Sequence, residues 1–148
     1  MLTASQEARQ FMGAYGNLFG WLIIAGLFLT LMTYPIKLIQ RKWVAKLEPK
    51  SKFKKGYTKV QQIIVRHHRF FAIFTTVMLI VHLIIQIQYR WVSSSGIVAA
   101  SLLVLNVLLG VYGHYIRKKK RSAWFYIHRT VAILSTIAII LHIVLQGR

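Results

Sequence analysis

Four stretches of the chain stay apolar for about the 20 residues that a helix needs to cross a hydrocarbon core of about 30 Å. They cover residues 18–39, 67–88, 97–116 and 124–146. Polar connections separate them, a long basic one at 40–66, a short one near 89–96 and a second basic one at 117–122. The pattern predicts an all-α membrane protein, one domain over residues 1–148 with four transmembrane helices. Pro35 is expected to kink the inner end of the first. Gly13, Gly16, Gly20 and Gly26 are small enough to let a neighbouring helix or a flat ligand approach the backbone. The 40–66 connection is long for a turn. It reads as a basic loop, in part an amphipathic surface helix with Trp43 and Phe53 at the interface.

The second and fourth apolar segments repeat one another. Residues 68–82 read HRFFAIFTTVMLIVH and residues 128–142 read HRTVAILSTIAIILH, and the match extends outward to Gln86 and Gln146. Fourteen helical residues turn through about 1400°, within about 40° of whole turns, and rise about 21 Å. Each segment therefore carries two imidazoles on nearly one face, His68 with His82 and His128 with His142. His67 competes with His68 on geometry, at an angular error of about 60° against about 40°. The repeat to His128 selects His68, which leaves His67 and His114 as residues at headgroup level, with contact to a bound carboxylate or quinone as their alternative role. In the third segment Gly96 and Gly110 are also fourteen apart, although Gly96 lies so near the loop that it is not expected to line anything.

Composition confirms the class and charge sets the orientation. At 56% hydrophobic, 15% charged and a mean hydropathy of +0.53, the chain is not a soluble globule. A net charge of +18 on a soluble protein would suggest nucleic acid. Here the basic residues crowd into the two connections, which argues for loops held in the cytoplasm against anionic lipid headgroups and against nucleic acid. Both termini are then extracytoplasmic. The start MLTASQEARQ lacks the basic opening of a signal peptide and is expected to be retained. With this orientation the second and fourth helices run parallel, so His68 is level with His128 and His82 with His142. The first and third helices complete an up-down bundle.

An ionisable side chain within the hydrocarbon is costly unless it is paired. A single buried histidine is usually an interhelical hydrogen bond; four in two equal spacings are harder to explain that way. Bis-imidazole ligation of haem iron needs two neutral histidines facing each other between apolar walls, and the repeat supplies that twice. Zinc asks for converging ligands, whereas these levels are about 21 Å apart. With no cysteine, thiolate sites, iron–sulfur clusters and covalently attached c-type haem are excluded. The expectation is two haem b, an inner one on His68 and His128 and an outer one on His82 and His142. Arg69 and Arg129 are candidate propionate partners; Arg66 reads equally well as a positive-inside anchor. Outer propionates would depend on Arg90, Arg148 or Arg9, or on Tyr89, Trp91 and glutamines. Phe70, Phe71, Phe74 and Trp124 could pack on haem faces but are more often core or interface residues. A quinone is the candidate further ligand.

With these residues in place, the chain resembles the transmembrane haem domain of the ferric reductase and NADPH oxidase superfamily. There the second and fourth helices each carry His-x13-His or a close variant and bind two stacked b haems, and HR commonly opens the motif. The resemblance spans about residues 13–146 and implies ligand roles for His68, His82, His128 and His142. Unlike most of that family, the sequence has no Gly-rich dinucleotide fingerprint, so it is not expected to oxidise NADPH by itself. The spacing is also similar to that of the cytochrome b of quinol-oxidising complexes. The function expected is electron transfer across the bilayer, from a cytoplasmic flavoprotein or membrane donor to an extracytoplasmic acceptor. Saturated axial ligation makes any reduction of oxygen or ferric chelate outer-sphere. Two alternatives stand beside it: a quinone-linked cytochrome b subunit anchoring a redox enzyme, and a haem-free membrane adaptor or small transporter.

Overall fold

The computed structural model describes residues 4–117 and 122–146. Its elements are α1 (Ala4–Leu31), α2 (Thr33–Lys42), a 3-10 turn (Val44–Lys46), α3 (Lys52–Tyr89), α4 (Ser94–Val111), a π turn (Tyr112–Ile116) and α5 (Ala123–Gln146). No strand occurs among the described residues. Four stretches are long and apolar enough to cross a membrane: Gln6–Lys46, Lys52–Tyr89, Ser94–Ile116 and Ala123–Gln146. Large apolar side chains such as Phe28, Phe70, Ile87 and Leu108 are exposed along them, as a lipid-facing surface requires.

The helices begin and end for local reasons. Pro35 has no N–H and its ring crowds the carbonyl four residues earlier, which is that of Leu31, where α1 ends. Met32 is the break, and Pro35 then sits in the first turn of α2, where no intrahelical donor is required. Ser93 starts α4: its Oγ accepts from Gly96 N at 3.1 Å, a side-chain N-cap. At the other end of α4, Arg117 N donates to Tyr112 O at 3.1 Å, the five-residue closure of a π turn.

The long basic connection, read as a loop that is in part an amphipathic helix, is mostly helical: residues 40–42 end α2, residues 52–66 open α3, and only a short stretch around Val44–Lys46 and Pro49 turns the chain. The second apolar segment is therefore the C-terminal part of a 38-residue helix. The first begins far earlier than residue 18, with Glu7 in the opening turn of α1, where an acid suits the helix dipole. Of the basic connection 117–122 the described residues are Arg117 and Ser122, joined by Arg117 Nη2 donating to Ser122 Oγ at 3.2 Å. Residues 118–121 and Arg148 lie outside the described residues.

The chain divides into two compact units, Asn17–His82 and Met1–Gly16 with Leu83–Arg148. Within the first, α3 packs antiparallel on α1 and α2. Gly26 lies against Thr75 and Phe74, Gly20 against His82 and Thr33 against His68; Ile23, Leu27, Val44 and Leu79 are buried. Within the second, α5 packs antiparallel on α4. Gly96 lies against His142, Gly110 against His128 and Gly113 against Trp124; Ala99, Leu103 and Val131 are buried. In each unit the buried apolar side chains of the first helix lie three and seven positions beyond a glycine that faces a histidine, Gly20 or Gly96. The repeat visible in the second and fourth apolar segments thus extends to the helices they pack against.

Midway along each repeat sits a buried hydroxyl, Thr75 at 2% exposure and Ser135 at 0%. Thr75 Oγ1 donates to Phe71 O and Ser135 Oγ to Val131 O, both at 2.7 Å. In a dry span these bonds to the preceding turn satisfy a group that has no water to turn to.

Candidate functional site

All four histidines of the repeat are half-buried and present one edge of the ring to the helix beside them. His128 is the most constrained. Its Nδ1 lies 3.1 Å from Asn106 O, and because a carbonyl only accepts, Nδ1 carries the proton. The lone pair of the neutral ring is then on Nε2. A Cβ at Gly110 would lie 3.5 Å from His128 Cε1, so the glycine lets the ring lie close against the α4 backbone. Trp124 adds an indole whose centroid is 6.3 Å from the imidazole, and that indole in turn rests on Gly113.

His68 and His142 follow the same plan with hydroxyls in place of the carbonyl, and His82 packs over a glycine. His68 Nδ1 is 3.2 Å from Thr33 Oγ1. His142 Nδ1 is 3.1 Å from Ser95 Oγ and 3.4 Å from Ser93 Oγ, so the cap of α4 also holds an imidazole. His82 lies over Gly20, where a Cβ would be 3.5 Å from Cε1 and 3.8 Å from Nδ1. Gly96, expected to line nothing, is the tightest: a Cβ there would be 3.1 Å from His142 Cε1. It sits in the first turn of α4, near the loop in sequence yet directly beneath the ring.

The neighbouring histidines behave differently. His67 is exposed and its Nδ1 bonds Ile63 O of its own helix at 2.8 Å. His114 falls in the π turn and meets Tyr115 edge to face, with ring centroids 4.7 Å apart. Arg69 and Arg66 are exposed, and the Arg129 guanidinium lies over the Phe125 ring, 5.2 Å from its centroid. Phe70 is 64% exposed and so faces outward, whereas Phe74 packs on Gly26.

Sequence reading found the imidazoles but not their oxygen partners, Thr33, Ser93, Ser95 and the Asn106 carbonyl. The signal was present. Antiparallel packing pairs positions whose numbers have a constant sum, and Gly96 with His142 and Gly110 with His128 both satisfy one value. The fourteen-residue spacing of glycines in the third segment mirrors that of the histidines in the fourth. Asn106 carries a further feature: its Oδ1 is buried without a hydrogen-bond partner among the described residues, beside the carbonyl that holds His128.

Among the described residues no three His, Cys, Asp or Glu side chains gather as a metal site would require. His68, His128 and His142 are instead each held through Nδ1 by an oxygen of the adjacent helix. No protein-family model, curated protein or solved structure matches the chain.

Proposed function

We propose that this chain is a four-span membrane cytochrome that carries electrons across the bilayer on two b haems, with ferric-reductase-like direction from the cytoplasmic side outward. In this reading α3 and α5 run parallel within an up-down bundle. His68 and His128 hold the inner haem, and His82 and His142 the outer. What supports it is the common anchoring of His68, His128 and His142 through Nδ1 to oxygens of the adjacent helix, with glycines opposite His82, His128 and His142. Metal-bound imidazoles are held in this way: the second nitrogen is fixed by hydrogen bonding, which sets ring orientation and leaves Nε2 to coordinate.

One further mark bears on the fit: the glycines let the imidazoles lie close against the adjacent helix backbones. Haem b bound between such imidazoles supplies one-electron iron chemistry. The chain's own part is to fix the ring planes, to exclude water with the apolar walls of the spans and to place Arg69 and Arg129 at the inner end for carboxylates.

A reduced-minus-oxidised spectrum of the purified protein with a haem-to-protein ratio tests the reading. A b-type α band and two haems per chain are expected; absence of the band overturns the proposal in favour of a haem-free membrane protein whose histidines pair between helices. His68→Ala and His128→Ala should each remove the same one of two redox centres. Loss of different centres would refute the pairing.

One feature favours a second reading, a quinone-linked cytochrome b anchor subunit. The π turn Tyr112–Ile116 carries His114 at the inner end of α4, and π turns concentrate at functional sites. Reduction of the inner centre by a short-chain quinol, lost in His114→Leu, separates it from the first.

A further inference from the structure

The basic connection is built as a shaft rather than a loop. In the Asn17–His82 unit, α2 and the N-terminal part of α3 form a hairpin tied along its length. Tyr57 OH donates to Ile36 O at 3.0 Å, Gln40 Nε2 to Thr58 Oγ1 at 3.3 Å, and Lys54 Nζ to Ala45 O and Leu47 O at 2.9 and 2.7 Å. Val44 plugs the turn at 2% exposure. From residue 37 to residue 66 the sequence carries ten Lys and Arg against one acid, Glu48.

Two stripes run side by side on the outer surface of this part of α3. Lys55, Lys59 and Arg66 are exposed at spacings of four and seven, one side of a helix. Next to them Phe53, Val60 and Ile63 are 64%, 52% and 49% exposed at spacings of seven and three. A basic stripe beside an apolar one suits either an anionic membrane surface or an acidic protein with an apolar contact. The continuity of α3 decides between them. No break separates residues 52–67 from the apolar segment, so the helix leaves the bilayer along its own axis and does not lie down in the interface. Lys55 is 13 residues and Phe53 15 residues before His68, a rise of about 20 and 22 Å, beyond the reach of headgroups.

We propose that the face formed by Lys55, Lys59, Phe53 and Val60 docks the acidic, partly apolar face of a soluble protein on the side of the membrane that holds the basic connection. The dock stands independently of haem; the partner's role as electron donor rests on the cytochrome reading.

The test uses the full chain in lipid nanodiscs and a labelled flavodoxin as the acidic probe, read by fluorescence anisotropy. In neutral-lipid discs the probe should bind and weaken by about tenfold or more both in high salt, where the screening length is about 3 Å at 1 M, and in the variant K55E/K59E. Anionic lipid in the disc should leave binding by the wild-type shaft nearly unchanged. F53S/V60S, which keeps every charge, should weaken binding in high salt more than in low salt. Unchanged helix content by circular dichroism confirms that each variant is folded. Equal binding by wild type and K55E/K59E overturns the proposal; so does loss of wild-type binding in anionic discs, which would assign the stripe to lipid. Because the readout needs no iron, an absent b-type band would remove the cytochrome reading and leave the dock intact.

Discussion

At the scale of single residues, the glycines facing the histidines are not equivalent, and the difference can be measured. Alanine at Gly20 would place its Cβ in ordinary van der Waals contact with His82, so Gly20→Ala should keep both of the proposed haem centres and gain up to about 1 kcal/mol of helix stability. Alanine at Gly96 would press both His142 Cε1 at 3.1 Å and Ser93 Oγ at 3.0 Å. Gly96→Ala should displace the imidazole and remove the outer centre while sparing the inner, as seen in a redox titration. The oxygen partners give a complementary test. Thr33→Val deletes the hydroxyl 3.2 Å from His68 Nδ1 but leaves the ring and its neighbours, and removing such a support typically costs about 10–100-fold in metal affinity or activity. The inner centre should lose haem on dilution about that much more readily, with the outer unaffected. Equal loss from both centres would show that Thr33 supports packing and not one ligand.

At the scale of elements, the π turn carries the tightest glycine contact among the described residues. Gly113 is buried and the Trp124 ring occupies the place where a Cβ would be. Gly113→Ala should destabilise the α4 and α5 pair by about 1–3 kcal/mol, as overpacking does, visible as a lower thermal midpoint in detergent. If the midpoint is unchanged, the turn is set by backbone preference and not by the indole. This scale is also where the sequence was partly legible. Apolar runs located all four spans, because about 20 apolar residues have few other uses, and the His-x13-His repeat marked α3 and α5. Helix starts were missed in α1 and α3 because hydropathy reports lipid contact and not hydrogen bonding. Lys52 to Arg66 is polar yet helical, its inner side fastened by Tyr57 and Lys54 to backbone carbonyls of α2 and the turn that follows it. The ring partners were invisible for a related reason. Thr33 and Ser95 are ordinary residues in sequence and become informative only when antiparallel register sets them opposite an imidazole.

At the scale of the whole molecule the open variable is which end of α3 lies in the cytoplasm. The basic residues gather at the end with Lys52 and in the connection between Ile116 and Ala123, whereas the 89–96 connection carries Arg90 alone. Under the proposed orientation, cytoplasmic retention of Lys- and Arg-rich loops would put Lys50 inside and Trp91 outside. The chain has no cysteine, so Lys50→Cys and Trp91→Cys each offer a single thiol, and Trp91, 88% exposed, is open to reagent. In intact cells a membrane-impermeant maleimide should label Trp91→Cys at once and Lys50→Cys only after the membrane is opened. The two positions control for each other, since a spanning α3 must put them on opposite sides whichever way it runs. Labelling of both in intact cells would mean that α3 does not cross. Labelling of Lys50→Cys alone would invert the orientation, move the basic shaft and its acidic partner outside, and reverse the direction of electron flow proposed for the two histidine levels.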